Sequence, residues 1–120
     1  MKIVVVDDSD SMRRVLVSVL VGQGHDVVAE LANGESLQET VRSTAPEIVC
    51  LDYELPGRDG IALLGDLNTA FPGLDVVMIT SSEDEQVERR AAEAGAAGFI
   101  RKPFGQGRII EELEQIRATR

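Results

Sequence analysis

Apolar and polar positions along the chain follow two alternating periods. Lys2-Ile3-Val4-Val5-Val6-Asp7, Asp26-Val27-Val28-Ala29-Glu30-Leu31, Glu47-Ile48-Val49-Cys50-Leu51-Asp52, Leu74-Asp75-Val76-Val77-Met78-Ile79-Thr80 and Gly98-Phe99-Ile100-Arg101 are short apolar runs rich in β-branched residues. Runs of that length read as strands buried on both faces. Glu30 marks the second as less buried, at an edge. Between them the period changes to that of a helix. Met12, Val15, Leu16, Val19 and Leu20 recur at i, i+3, i+4, i+7 and i+8, after capping chemistry in Asp8-Ser9-Asp10-Ser11 and before Gly22 and Gly24. Asn33-Gly34 opens a second helix, marked by Leu37 and Val41 and ended before Pro46. Leu63, Leu64, Leu67 and Phe71 mark a third, closed by Pro72-Gly73. Ser82-Glu83-Asp84-Glu85 has the form of a capping box, with Ser82 as N-cap of a fourth helix striped by Val87, Ala91 and Ala94. Ile109, Ile110, Leu113 and Ile116 mark the fifth.

Five strands alternating with five helices, joined by short turns, predict an α/β fold with a parallel sheet covered on both faces and right-handed crossovers. The length of 120 residues suits one domain, 1–120, with no repeat or linker.

Composition narrows the function. The net charge of −9 disfavours direct nucleic-acid binding, which needs clustered Lys and Arg. No apolar stretch approaches the roughly 20 residues that span a bilayer, so neither membrane insertion nor a signal peptide is expected, and a cytoplasmic location is. Cys50 lies inside a buried strand and reads as a small core residue, and His25 as a solvated turn residue.

The chemistry collects where strands end. Asp7 and Asp8 follow the first strand and Asp52 closes the third, ahead of the turn formers Pro56-Gly57 and Asp59-Gly60. In open α/β sheets ligands bind at that carboxyl edge. If the first and third strands are neighbours, these carboxylates converge; like charges so close disfavour their own ionised forms unless a cation compensates, and an oxygen-only set suits Mg²⁺. The plainer reading is that Asp7 and Asp8 cap the first helix. Thr80 closes the fourth strand with a hydroxyl that can donate to a phosphoryl oxygen, and Lys102 follows the fifth with a compact ammonium. Acid, acid, hydroxyl and ammonium on one edge mark Asp52 as a phosphoryl acceptor.

These residues carry a resemblance. The chain resembles the response-regulator receiver domain of two-component signalling, especially the single-domain chemotaxis type. The likeness lies in Val6-Asp7-Asp8, Asp52-x-x-Leu55-Pro56-x-x-Asp59-Gly60, Thr80-Ser81 and Gly98-Phe99-Ile100-x-Lys102-Pro103-Phe104, with Ser11-Met12-Arg13-Arg14 as a local similarity. It implies a flavodoxin-like, doubly wound five-stranded parallel sheet of order 2-1-3-4-5 with five helices. It implies Asp52 as the nucleophile that takes phosphate from a histidine kinase or a histidine phosphotransfer protein. Mg²⁺ would be held by Asp8, Asp52 and the backbone carbonyl of Glu54, with Asp7 acting mostly through a water. Lys102 would pair with the phosphoryl group, Thr80 would swing toward it, and Phe99 would follow inward. The Lys102-Pro103 bond is expected to be cis. Output to an unidentified protein would use the fourth helix, fifth strand and fifth helix, with Glu83, Glu88, Arg89 and Arg90 helping to define the surface. The resting form would be a monomer, with a dimer on activation as the alternative. Such a protein is no enzyme beyond catalysing its own phosphorylation and dephosphorylation.

Glu54 departs from the family pattern, in which an amide, Met or Arg is usual two residues after the acceptor. A carboxylate there could repel incoming hydroxide, orient a water, or pair with Lys102 before phosphorylation. Ser82, besides capping, could tune access to the phosphoryl group, Arg13 and Arg14 read as solvated, and Tyr53 is either a loop ring or part of the site rim.

Three other readings compete. The chain could be a receiver module cut from a larger regulator or hybrid kinase. An FMN-binding electron carrier shares the fold, but Asp7-Asp8 stands where a phosphate-cradling loop is needed, and there is no Trp. An aspartyl-phosphate phosphatase would want a second Asp where Glu54 sits, and more chain for a cap domain.

Overall fold

The computed structural model describes residues 1–120. The elements run β1 (Lys2–Val6), α1 (Asp10–Gly22), β2 (Asp26–Leu31), α2 (Leu37–Thr44), β3 (Ile48–Asp52), α3 (Gly60–Ala70), β4 (Asp75–Thr80), α4 (Glu85–Glu93), β5 (Gly98–Arg101) and α5 (Gln106–Ala118). All strand pairs are parallel and the order is β2-β1-β3-β4-β5, as expected. β2 is an edge strand and exposes Glu30.

The period-2 geometry of a strand splits the apolar runs between two cores. Val4, Val6, Val49, Leu51, Val76 and Met78 face α2, α3 and α4, meeting Leu37, Val41, Leu63, Leu64, Leu67 and Ala91. Their neighbours Ile3, Val5, Ile48, Cys50, Val77, Ile79 and Ile100 face α1 and α5, meeting Leu16, Leu20, Ile109, Leu113 and Ile116. Each fully buried Leu or Ile contributes about 1.5–3 kcal/mol. This double cover buries both faces of the sheet, so its carboxyl edge is where polar side chains collect.

Three expectations fail locally. Helix α2 starts at Leu37, not at Asn33-Gly34. Asn33 Oδ1 instead accepts the Glu35 N–H in a local turn, and a Cβ on Gly34 would come within 2.8 Å of a Leu63 methyl. The N-cap of α4 is Asp84, whose carboxylate accepts the Gln86 N–H, so Ser82 is not the cap. Ser82 lies in the preceding loop, donating its N–H to Thr80 Oγ1 and accepting the Asp84 N–H. An aspartate nearer the helix displaced the serine because both satisfy the same orphan donors. In α1 the five-residue stripe is too broad: Leu16 and Leu20 are buried, whereas Val15 is 50% exposed.

Candidate functional site

The end of β1 delivers two carboxylates with different fates. Asp7 is buried, its N–H bonded to the Leu31 carbonyl and its Oδ1 accepting the Ser9 N–H at 2.8 Å. Ser9 caps α1 through Met12 N–H, so the start of the helix fixes the Asp7 rotamer. Asp8 is exposed. Arg13, expected to be solvated, instead reaches back one turn: its guanidinium donates to the Asp7 carbonyl at 2.6 Å and to Asp10.

Asp52 closes β3 and is only 1% exposed. Its Oδ1 accepts the Glu54 N–H at 3.0 Å, and the Tyr53 N–H bonds to the Ile79 carbonyl, tying the loop to β4. Tyr53 is half-buried against the α2–α3–α4 core. Gly60 lets α3 start directly beneath: a Cβ there would lie 2.7 Å from Tyr53 Cα.

Lys102 enters from the end of β5, its N–H held by the Thr80 carbonyl and its bond to Pro103 cis, as expected. Its ammonium donates to Asp52 Oδ2 at 3.3 Å and pairs with Asp7 Oδ2 at 3.2 Å. The second contact is an ion pair lying outside hydrogen-bond angles, which leaves Asp7 Oδ2 a buried oxygen without a donor. Burial works against the Lys102 ammonium, but Asp52 and Asp7 more than offset it and hold its pKa above the ordinary lysine range. Burial pushes the Asp52 carboxyl up to about 7, with Glu54 adding to the rise and the Glu54 amide and Lys102 opposing it.

Carboxylate oxygens of Asp7, Asp8 and Asp52 lie within 4.8 Å of one another. A hard, oxygen-only set with one buried oxygen lacking any donor and one exposed member open to solvent fits a Mg²⁺ ion that keeps several waters.

Thr80 is fully buried at the end of β4. Its hydroxyl donates to Glu54 Oε1 at 2.7 Å, and the same oxygen accepts the Ser81 N–H at 2.9 Å and the Ser81 hydroxyl at 2.8 Å. Glu54 therefore does not pair with Lys102, as one sequence reading allowed. Burial alone would raise the Glu54 carboxyl, but its coupling to Asp52 and the hydrogen bonds donated by Thr80 and Ser81 outweigh it and hold it at about 2.

Phe99 is half-buried, with the Arg101 guanidinium 5.1 Å from its ring centre. Its backbone at the open edge of the sheet is covered by α5: Glu112 Oε1 accepts the Phe99 N–H at 3.1 Å and Arg108 donates to the Phe99 carbonyl at 2.9 Å. Arg108 also pairs with Glu112. Sequence reasoning missed this clamp, although Glu112 sits inside the stripe of Ile109, Leu113 and Ile116, a polar residue at a core position. In α4, Glu88 pairs with Arg101 at 2.9 Å, Arg90 with Asp59 at 3.7 Å, and only Val87 and Ala91 are buried.

The structure thus brings Asp7, Asp8, Asp52 and Lys102 together, sets Thr80 and Glu54 beside them with Ser82 bonded to Thr80, and places Phe99 on β5, in register with Met78 of β4.

Comparison with known proteins adds an independent finding. The family model described as response regulator receiver domain matches residues 3–114. The chain is 32% identical to the chemotaxis protein CheY of Bacillus subtilis, over 95% of each chain. It is 38% identical to a protein-glutamate methylesterase/protein-glutamine glutaminase of Halalkalibacterium halodurans, over 97% of this chain and 34% of that one. Among solved structures, the signal receiver domain of NarL from Mycobacterium tuberculosis superposes with a TM-score of 0.91 at 27% identity, covering 99% of this chain and 97% of that chain.

Proposed function

Because the chain belongs to the response regulator receiver domain family of two-component signalling, we propose that Asp52 is its phosphoryl acceptor and that residues 1–120 act as one switching domain. The observation that carries this reading is the setting of Asp52, buried yet 3.3 Å from the Lys102 ammonium and clustered with Asp7 and Asp8.

The donor is a phosphohistidine on a histidine kinase or histidine phosphotransfer protein. An Asp52 carboxylate oxygen attacks phosphorus, the phosphorus–nitrogen bond breaks, and the electron pair leaves on the imidazole. Transfer of this kind asks mainly for positioning and for neutralisation of the equatorial oxygens. The Glu54 N–H fixes one Asp52 oxygen, leaving the other to Lys102. Lys102, already centred between two carboxylates, moves its charge onto a phosphoryl oxygen as the Asp52 charge is consumed. Asp8, Asp52 and the Glu54 carbonyl, with Asp7 acting mostly through a water, would hold Mg²⁺, which would supply the remaining neutralising charge. Thr80 turns its hydroxyl to donate a hydrogen bond to the phosphoryl group in the activated state, and Phe99 moves inward behind it.

Output runs through α4, β5 and α5. The small buried area of α4 favours this, since elements with few buried contacts shift most easily. Moving a two-state switch from 1:99 to 99:1 takes about 5.5 kcal/mol of differential affinity. Charge-assisted bonds at about 1.5–3 kcal/mol each supply that from Lys102, Thr80 and one backbone amide.

Incubation with acetyl phosphate or phosphoramidate plus Mg²⁺, read by intact mass, tests the reading. One added phosphoryl group, not formed when a chelator is present and absent in Asp52→Asn, is the expected result. An equal gain in Asp52→Asn overturns it.

A further inference from the structure

Three donors converge on a single oxygen, Glu54 Oε1: the buried Thr80 hydroxyl, the Ser81 amide and the Ser81 hydroxyl, all within 2.9 Å. Such a set is a cradle for an anionic oxygen, and each bond is charge-assisted. It lies at the end of β4, next to the strand that carries Asp52: Asp52 is in register with Ile79, and Thr80 and Ser81 follow it. The Glu54 main chain is bonded to Asp52 at the same time, which keeps the two side chains neighbours. Glu54 itself is exposed as a residue and can turn into water without opening the core.

We propose that Thr80 and Ser81 form an anion seat that Glu54 fills in the unphosphorylated protein, so that a phosphoryl group on Asp52 must evict Glu54 to take these donors. This deepens the acceptor reading and rests on it. The hydroxyl arithmetic requires a choice. Thr80 has one O–H, and it cannot serve both anions. The Ser82 N–H already occupies Thr80 Oγ1 as an acceptor, so the hydroxyl donates to Glu54 from a fixed position. Glu54 is then a positioning residue. It holds the β4–α4 loop in an anion-bound arrangement before any signal arrives, and it sets the affinity threshold that the incoming group must exceed. Lys102 is not part of the seat, because its partners are Asp7 and Asp52.

Length and charge can be separated. Glu54→Ala removes the occupant, and Glu54→Asp keeps its charge on a side chain one methylene too short to reach the seat. The probe is trifluoroberyllate with Mg²⁺, titrated against the Thr80 and Ser81 amide resonances. Both variants should bind it about tenfold more tightly than wild type, the equivalent of losing one competing bond of the charge-assisted kind. In analogue-free protein the Ser81 amide proton should move upfield in both variants, a signature of the lost carboxylate partner. Equal affinity in all three proteins, with the analogue bound normally, overturns the seat and leaves Asp52 as acceptor. Wild-type behaviour in Glu54→Asp also overturns it, because repulsion by charge would then be the whole effect. No analogue binding in any of the three overturns both readings.

Discussion

Lys102 Nζ stands 3.3 Å from Asp52 Oδ2 across fifty residues of chain, and 3.2 Å from Asp7 Oδ2. One ammonium thus compensates two buried carboxylates that the ends of β1 and β3 force together. On the proposed reading the same cation would compete with a metal for those oxygens and would pair with the phosphoryl group.

Lys102→Met separates these roles while keeping the apolar stem. Mg²⁺ affinity should rise several-fold, since a positive charge no longer sits among its ligands. Phosphorylation by phosphoramidate should slow at least about tenfold, since transition-state charge loses a partner. Isothermal titration and stopped-time mass spectra read the two effects. If both fall together, Lys102 acts only through structure.

Metal-free stability should depend on pH through Asp52. Its carboxyl rises from an ordinary 3.8 to about 7 on folding, chiefly by burial. Between those values the folded chain keeps a proton that the unfolded chain releases, so this contribution to stability is lost as pH rises toward about 7 and is flat above it. Asp52→Asn lacks the penalty. In chelator its melting temperature should exceed that of wild type by a margin that widens from about pH 5 to about 7 and then holds. A margin that narrows over that range contradicts the assignment.

The cap of α4 gives a local test. Asp84→Ala should cost about 1 kcal/mol in urea unfolding, and Ser82→Ala no more than about 0.5 kcal/mol. The reverse order would restore Ser82 as the cap.

Glu112 guards the open edge of β5. Glu112→Ala leaves the Phe99 N–H without its acceptor and should cost about 1–3 kcal/mol, with faster hydrogen exchange at the Phe99 amide. Unchanged exchange would show that the clamp does not hold in solution.

Strand identities and the edge position of β2 were legible because each depends on a local run, whereas the convergence of Asp7, Asp52 and Lys102 also needed the strand order that the family resemblance implied. What escaped was decided by distant partners. Glu54 looked free to meet Lys102, but the Thr80–Ser81 donors, 26 and 27 residues away, capture it first. Arg13 read as solvated, yet the turn between Asp7 and Ser9 offers it a carbonyl that no periodicity reveals. At α4 two capping residues of equal propensity stood two positions apart, and loop geometry chose between them. Glu112 was visible as a misfit within its stripe, but its partner was a backbone amide on another element.

The central claim concerns one side chain, and borohydride reduction addresses it directly. Protein treated with phosphoramidate and Mg²⁺ is reduced, digested and sequenced by tandem mass spectrometry, which reads an acyl phosphate as the corresponding alcohol. The account predicts homoserine at position 52 and at no other acid. Reduction at Asp7, Asp8 or Glu54 instead, or none at all, contradicts it.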